Sequence, residues 1–344
     1  DDLEGKRELE AVTRKETADD GEERNDFDFA FIHGQEHAKR AMAIAAAGGH
    51  NVLMYGPPGT GKTILARALA GILPKMDAEE TIEVTKIYSV SGALKNRGTV
   101  LRSRPFRSPH HTASAIAITG GGSLIRPGEV TLAHRGVLFL DELPEFQNHV
   151  LEALRQPLED RVITIARASG SIAFPADFTL VAAMNPCPCG NLANANASCV
   201  CTPGAIAKYQ RRVSGPLLDR IDLHIEVGNV GIEKLAEEHS PDFSESAKMR
   251  LEVEQARGRQ KTRFRGEKAQ TNAAMNLAQI KKHCRLDEDS KEALRRAYDQ
   301  YGLSVRSYYR LIKVARTVAD LAGRENIIRS DILEALQYRV KTEV

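Results

Sequence analysis

Three groups of residues in this chain of 344 have types and spacings that could do chemistry. Gly56-Pro57-Pro58-Gly59-Thr60-Gly61-Lys62-Thr63 fills the pattern G-x-x-x-x-G-K-[ST], a loop that cradles phosphate oxygens. Its glycines let main-chain N–H groups turn inward, and the helix that follows adds the partial positive charge of its N-terminus. Lys62 would reach the β- and γ-phosphates of ATP, and the Thr63 hydroxyl would ligate Mg²⁺. Further on, Asp141 and Glu142 end the apolar run Val137-Leu138-Phe139-Leu140. There Asp141 would hold Mg²⁺ through its water shell, and Glu142 would polarise the attacking water. Cys187, Cys189, Cys199 and Cys201 make two C-x-C pairs nine residues apart. Four thiolates this dense suit tetrahedral, structural Zn²⁺. The C-x-C spacing is tighter than the usual C-x₂-C, and buried free thiols or a redox pair are the alternatives.

These groups need particular elements to carry them. Asn51–Tyr55 reads as a buried strand before the phosphate loop, and Leu65, Leu69, Ile72 and Leu73 mark one face of a helix after it. Phe178–Met184 reads as another buried strand, which puts the Asn185 amide level with Asp141, to orient water or to cap the next turn. Ile32–Glu36 leads into an Ala-rich helix ended by Gly48-Gly49, and Gly34 and Gln35 would frame the adenine or simply start the helix. Thr81–Val84 reads as a short strand. Arg104-Pro105-Phe106-Arg107-Ser108-Pro109-His110-His111 begins an excursion from the core, because two prolines forbid a continuous helix. His110 and His111 could bind metal or phosphate, although neighbours in a strand would point opposite ways. Residues 161–175 carry a hairpin signal around Ala168-Ser169-Gly170. Arg220, between Asp219 and Asp222, reads as a surface ion pair or, in a ring-shaped ATPase, as a group touching a neighbour's γ-phosphate. From about Gly231 the pattern is helical, with Ser330 expected to cap a last helix.

The bulk numbers set limits. With 42% apolar and 27% charged residues the composition is that of a soluble globular protein of about two domains. No run of eighteen apolar residues and no secretory pattern occurs, so a cytoplasmic protein without membrane contact is expected. Residues 1–26 hold eleven Asp and Glu against five Lys and Arg and read as a flexible acidic lead-in. The first residue is Asp, as expected for a piece of a longer protein. Net charge is only +2, yet no carboxylate lies between Glu83 and Glu129, or between Asp177 and Asp219. Such stretches suit an anionic polymer or are simply a solvated face, and Arg102, Arg104, Arg107 and Arg167 are candidate DNA contacts.

Taken together, the chain from Phe27 onward resembles the AAA+ ATPases of the magnesium-chelatase-like branch, closest to its ComM/YifB group. The resemblance rests on Ile32–Ala47, Gly56–Thr63, Arg104–His111, Arg126–Glu129, Gly136–Glu145, Asn185–Gly190, Cys199–Cys201, Ser214–His224 and Ser304–Gly323, of which Ser214–Asp222 and the cysteines are the more specific. It implies an α/β P-loop fold with a three-layer parallel-sheet core (27–229) and a small all-helical lid (230–344). It further implies a hexameric ring that moves on DNA and branch-migrates recombination intermediates. Lys62, Thr63, Asp141 and Glu142 would form the ATPase centre, Asn185 the first sensor, Arg220 the finger acting on a neighbour, and Arg306 the second sensor. Residues 95–128 and 161–175 match pore-facing inserts. Proteins of this kind carry a Lon-protease-like N-terminal domain, of which residues 1–26 would be at most the linker. A chelatase motor driving metal insertion is the other reading.

Overall fold

A computed structural model describes residues 27–94, 100–122, 125–167, 170–192, 197–231 and 245–339. The acidic lead-in lies outside these residues, as do Lys95, Arg97 and the side chain of Arg167. Nine strands occur among the described residues: β1 (Val52–Tyr55), β2 (Phe106–Arg107), β3 (Gly120–Gly121), β4 (Arg126–Pro127), β5 (Val137–Leu140), β6 (Val162–Arg167), β7 (Gly170–Pro175), β8 (Thr179–Met184) and β9 (Leu223–Glu226). Five form a parallel sheet in the order β2-β5-β8-β1-β9. Strands β5 and β8 are buried along their whole length, which is why they read as unbroken apolar runs. The pleat sends alternate residues to opposite faces. Val52, Met54, Phe139 and Val181 enter one core, whereas Leu53, Leu138, Leu140 and Leu180 enter the other. Helices cover both faces, giving three layers in an α/β P-loop fold.

Helix α1 (Glu36–Gly48) and helix α2 (Lys62–Ile72) lie on the first face. Their last turns carry carbonyls with no partner inside the helix. The Glu245–Arg263 helix supplies the donors. Arg257 donates to Ala46 O at 3.0 and 2.8 Å, Gln260 to Ala47 O at 2.9 Å, and Arg250 to Gly71 O at 2.9 and 2.6 Å. Burial pulls Arg257 down to about 10. Each such charged bond contributes roughly 1.5–3 kcal/mol, so this helix is fastened to the sheet layer as well as packed on it. The helices Leu277–His283, Glu288–Tyr301, Val305–Leu321 and Arg329–Gln337 complete the C-terminal region.

Three expectations are corrected. Thr81–Val84 belongs to helix α3 (Ala78–Ser91), not to a strand. Asp77 accepts from Glu79 N and Glu80 N while Glu80 accepts from Asp77 N, and this capping box outweighs a four-residue alternation. The excursion after Arg104 is partly a core element. Phe106 and Arg107 pair in parallel with Val137 and Leu138 as the edge strand of the main sheet, where flanking prolines cost little. Ser330 sits inside the last helix, whose N-cap position is Ile328; Asp331 accepts from Ile328 N at 3.0 Å. The hairpin at 161–175 forms as β6 paired antiparallel with β7.

Candidate nucleotide site

The loop after β1 closes on itself. Gly61 holds φ +86°, a left-handed turn open to glycine, and serves as the N-cap of α2. The Lys62 ammonium donates to Gly56 O at 2.7 Å, to Pro57 O at 2.7 Å and to Asn185 Oδ1 at 3.2 Å. Burial lowers the pKa of Lys62, and the nearby Asp141 carboxylate opposes that shift. Two of its three partners are carbonyls of the loop itself, so phosphate oxygens entering the loop could replace them. The Thr63 hydroxyl donates to Asp141 Oδ2 at 3.0 Å. A hydroxyl and a carboxylate thus meet at one point, a hard-oxygen pair that fits Mg²⁺.

Glu142 follows in the left-handed region at φ +51°, a conformation that costs a non-glycine residue about 1–3 kcal/mol. Its N–H donates to Asp141 Oδ1 at 2.9 Å, which fixes the Asp141 carboxylate at the end of β5. Glu142 Oε2 lies 3.1 Å from His111 Nδ1. The two histidines are not in a strand. Their rings lie 4.1 Å apart, and His111 turns to Glu142 while its edge meets Phe146. At the far end of β9, Gln35 donates to Gly228 O at 2.5 Å, and Gly34 and Gln35 both have positive φ. Both therefore sit at the carboxyl edge of the sheet, beside the phosphate loop.

Arg220 and Arg306 are elsewhere. Arg220 donates to Pro216 O at 2.7 Å and pairs with Glu159, to which Arg306 also donates at 2.5 Å. The hydrogen bond from Arg220 is the largest cause holding the Glu159 carboxyl below its usual range. This trio lines a cavity of about 560 Å³, together with Asn51, Thr179 and Asp222 at the starts of β1, β8 and β9. Arg310, one turn beyond Arg306, bonds to Ile221 O and Asp222. The two arginines therefore occupy the amino-terminal edge of the sheet, opposite Lys62, Asp141 and Asn185.

The cysteines meet after β8. All four Sγ atoms lie within 4.8 Å of one another, with 3.4 Å between Cys187 and Cys189 and 3.7 Å from each to Cys199. Tetrahedral zinc with bonds of about 2.3 Å places sulfurs about 3.8 Å apart, so the donor set fits that metal. The Cys189 thiol is pulled down to about 6, first by the N–H of Asn191 and then by that of Val200.

Residues 28–235 match the family model described as magnesium chelatase, subunit ChlI, and residues 244–339 match its C-terminal partner. The chain belongs to the magnesium chelatase family of AAA+ ATPases. It is 46% identical over 341 residues to the competence protein ComM of Haemophilus influenzae, covering 98% of this chain and 65% of that protein. It is 43% identical over 338 residues to YifB of Escherichia coli, covering 98% of this chain and 64% of that protein. A magnesium-chelatase 38 kDa subunit of Cereibacter sphaeroides is 31% identical over 176 residues, covering 46% of this chain and 53% of that protein. The chain thus spans under two thirds of the length of the two long relatives. No helix among the described residues is long and apolar enough to cross a membrane.

Within this chain the candidate DNA arginines fare unequally. Arg102 is exposed. Arg104 pairs with Glu80 at 2.8 Å and donates to Pro74 O and Arg135 O. Arg107 grips Glu129 with two bonds of 2.6 and 2.7 Å. The absence of carboxylates along a stretch of sequence therefore does not leave its arginines unanswered, because Glu80 and Glu129 come from just outside it. Sequence reasoning also missed Glu159, where both edge arginines meet, and the contact of His111 with Glu142. Neither carries a motif, since both depend on elements brought together from distant parts of the chain.

Proposed function

We propose that this chain is an ATP-hydrolysing subunit of a ring motor that works on DNA, most specifically in branch migration during recombination or natural transformation. One observation carries the ring. The carboxyl edge of the sheet holds Lys62, Thr63, Asp141, Glu142 and Asn185, while Arg220 and Arg306 stand on the amino edge. A γ-phosphate held at Lys62 is out of reach of its own arginines, so the arginines of a neighbouring copy must complete the site. A hexamer is the assembly proposed, with residues 27–229 as the nucleotide unit and 230–344 as the helical unit.

In this reading the main-chain N–H groups from Gly59 to Thr63 hold the phosphates, and Lys62 exchanges its carbonyl partners for phosphate oxygens. Thr63 and Asp141 hold Mg²⁺, which when bound neutralises charge on the β- and γ-oxygens. Glu142 accepts a proton from water that Asn185 helps to orient. Cys187, Cys189, Cys199 and Cys201 hold structural Zn²⁺. DNA is favoured by the carboxylate-free stretches around Arg102 and 178–218, and by the similarity to a competence protein. Only one aromatic residue, Phe106, lies in the 95–111 stretch, and its ring packs on Phe139, which favours backbone tracking over base stacking. The second reading, a motor for metal insertion or remodelling of a protein partner, is supported by the similarity to a magnesium-chelatase subunit.

The test is the rate of ATP hydrolysis with and without branched DNA, repeated as salt rises. Stimulation that fades steeply with salt supports the DNA motor. No stimulation, with capture of a chelatase-type partner, would move the assignment to the second reading.

A further inference from the structure

The cysteine segment does more than close a loop. Asn185, which accepts from Lys62, stands two residues before Cys187. Gly190, one residue after Cys189, is buried beneath the phosphate loop with φ +80°. A Cβ built there would lie 2.5 Å from Pro58 Cδ and 3.0 Å from its Cγ, closer than carbon atoms pack. Pro58 is an x residue of the loop motif, so the turn that joins Cys187 to Gly190, closed by Gly190 N donating to Cys187 O at 3.0 Å, forms a wall of the loop. The other cysteine pair leads into the Pro203–Gln210 helix, capped by Thr202. That helix returns to the same place: Gln210 donates to Pro186 O at 3.2 Å.

We propose that the tetracysteine centre, by holding metal, sets how tightly this chain grips a nucleoside triphosphate, acting through Gly190 on Pro58 and through Asn185 on Lys62. The inference rests on the zinc reading given above. The physical reason is that the sequence between Cys189 and Cys199 is rich in Asn and Ala and carries no apolar pattern of its own. A tetrahedral ion held by the four thiolates would tie residues 187, 189, 199 and 201 together, and Gly190 and Asn185 lie within two residues of those points. Gly190 and the cysteines are thus positioning residues. None of them touches phosphate.

The test reads nucleotide affinity, not turnover, with a fluorescent non-hydrolysable ATP analogue and excess Mg²⁺, alongside the zinc content of each protein. Gly190→Ala should keep zinc and weaken the analogue about tenfold, because a left-handed alanine must also displace Pro58. Adding Pro58→Ala removes the ring that the new Cβ meets and should recover much of that loss, which a general folding defect would not do. In the parent chain, a zinc-selective chelator should weaken binding by a similar factor, and added Zn²⁺ should restore it. If Gly190→Ala or the zinc-stripped chain binds the analogue like the parent, the inference is overturned while the zinc reading stands. If the purified parent holds under half an equivalent of zinc, the zinc reading itself falls, and the inference with it.

Discussion

At the carboxyl edge of the sheet the candidate residues bond to one another: Lys62 to Asn185 at 3.2 Å, and Thr63 to Asp141 at 3.0 Å. At the amino edge Arg220 and Arg306 share a single, half-exposed carboxylate, Glu159. The first arrangement is pre-organised. Its lysine is buried among loop carbonyls, and Glu142 is held in a strained backbone conformation. The second is loose, because an ion pair in contact with water is worth only about 0–1 kcal/mol. A neighbour's phosphate could therefore draw the arginines from Glu159 at small cost. The contrast teaches that side chains at one edge are fixed by buried bonds, while those at the other can change partners at small cost.

That contrast can be broken in several ways. The largest effect is expected for Lys62→Ala, which should abolish retention of ATP with Mg²⁺ and cut turnover by roughly a thousandfold or more; a variant as active as the parent would remove the carboxyl edge from the account. Arg220→Ala should also lower turnover by roughly a thousandfold. Its nucleotide affinity as an isolated chain should stay at the parental value. Mixing it with Lys62→Ala chains should restore some hydrolysis, since one intact seam then forms between an arginine and a lysine from different copies. Loss of affinity in isolated Arg220→Ala chains would mean that the two edges are one site.

Glu142→Gln should hold ATP and turn over roughly a hundredfold more slowly, the usual range for losing a general base. Continued hydrolysis would place the base elsewhere. His111→Ala removes the group 3.1 Å from Glu142 and should change turnover several-fold, on the order of 1 kcal/mol in the barrier, without altering analogue binding.

Glu159→Gln gives the smallest effect. The folded-state pKa of Glu159 is depressed, so its contribution to stability is whole above the ordinary carboxylate pKa and is lost as pH falls through the folded value. The parent should melt slightly higher than the variant at neutral pH, and the two curves should converge in acid. A difference that persisted in acid would mean that Glu159 acts through packing rather than charge.

Much of the carboxyl edge was legible in the chain itself. Gly56–Thr63 and Asp141-Glu142 are local: their chemistry needs residues adjacent in sequence, on runs whose apolar character announces a strand buried on both faces. The four cysteines are equally local, and their sulfurs do converge. The misread segments are short or proline-flanked. Thr81–Val84 alternates like a strand, but the cap at Asp77, four residues upstream, decides for a helix. Phe106-Arg107 is a strand only because β5 offers it an edge.

Sequence by itself located the phosphate-loop pattern, the carboxylate pair and the clustered cysteines, each by spacing within one short stretch, and its apolar runs gave the layered α/β class. Tertiary structure alone decided which charges are answered. Arg104 and Arg107 are held by Glu80 and Glu129, and Arg220 and Arg306 are gathered on Glu159 away from Lys62. Pairing acts over a few ångströms in space, and the fold brings together Arg306 and Glu159, which the chain keeps 147 residues apart.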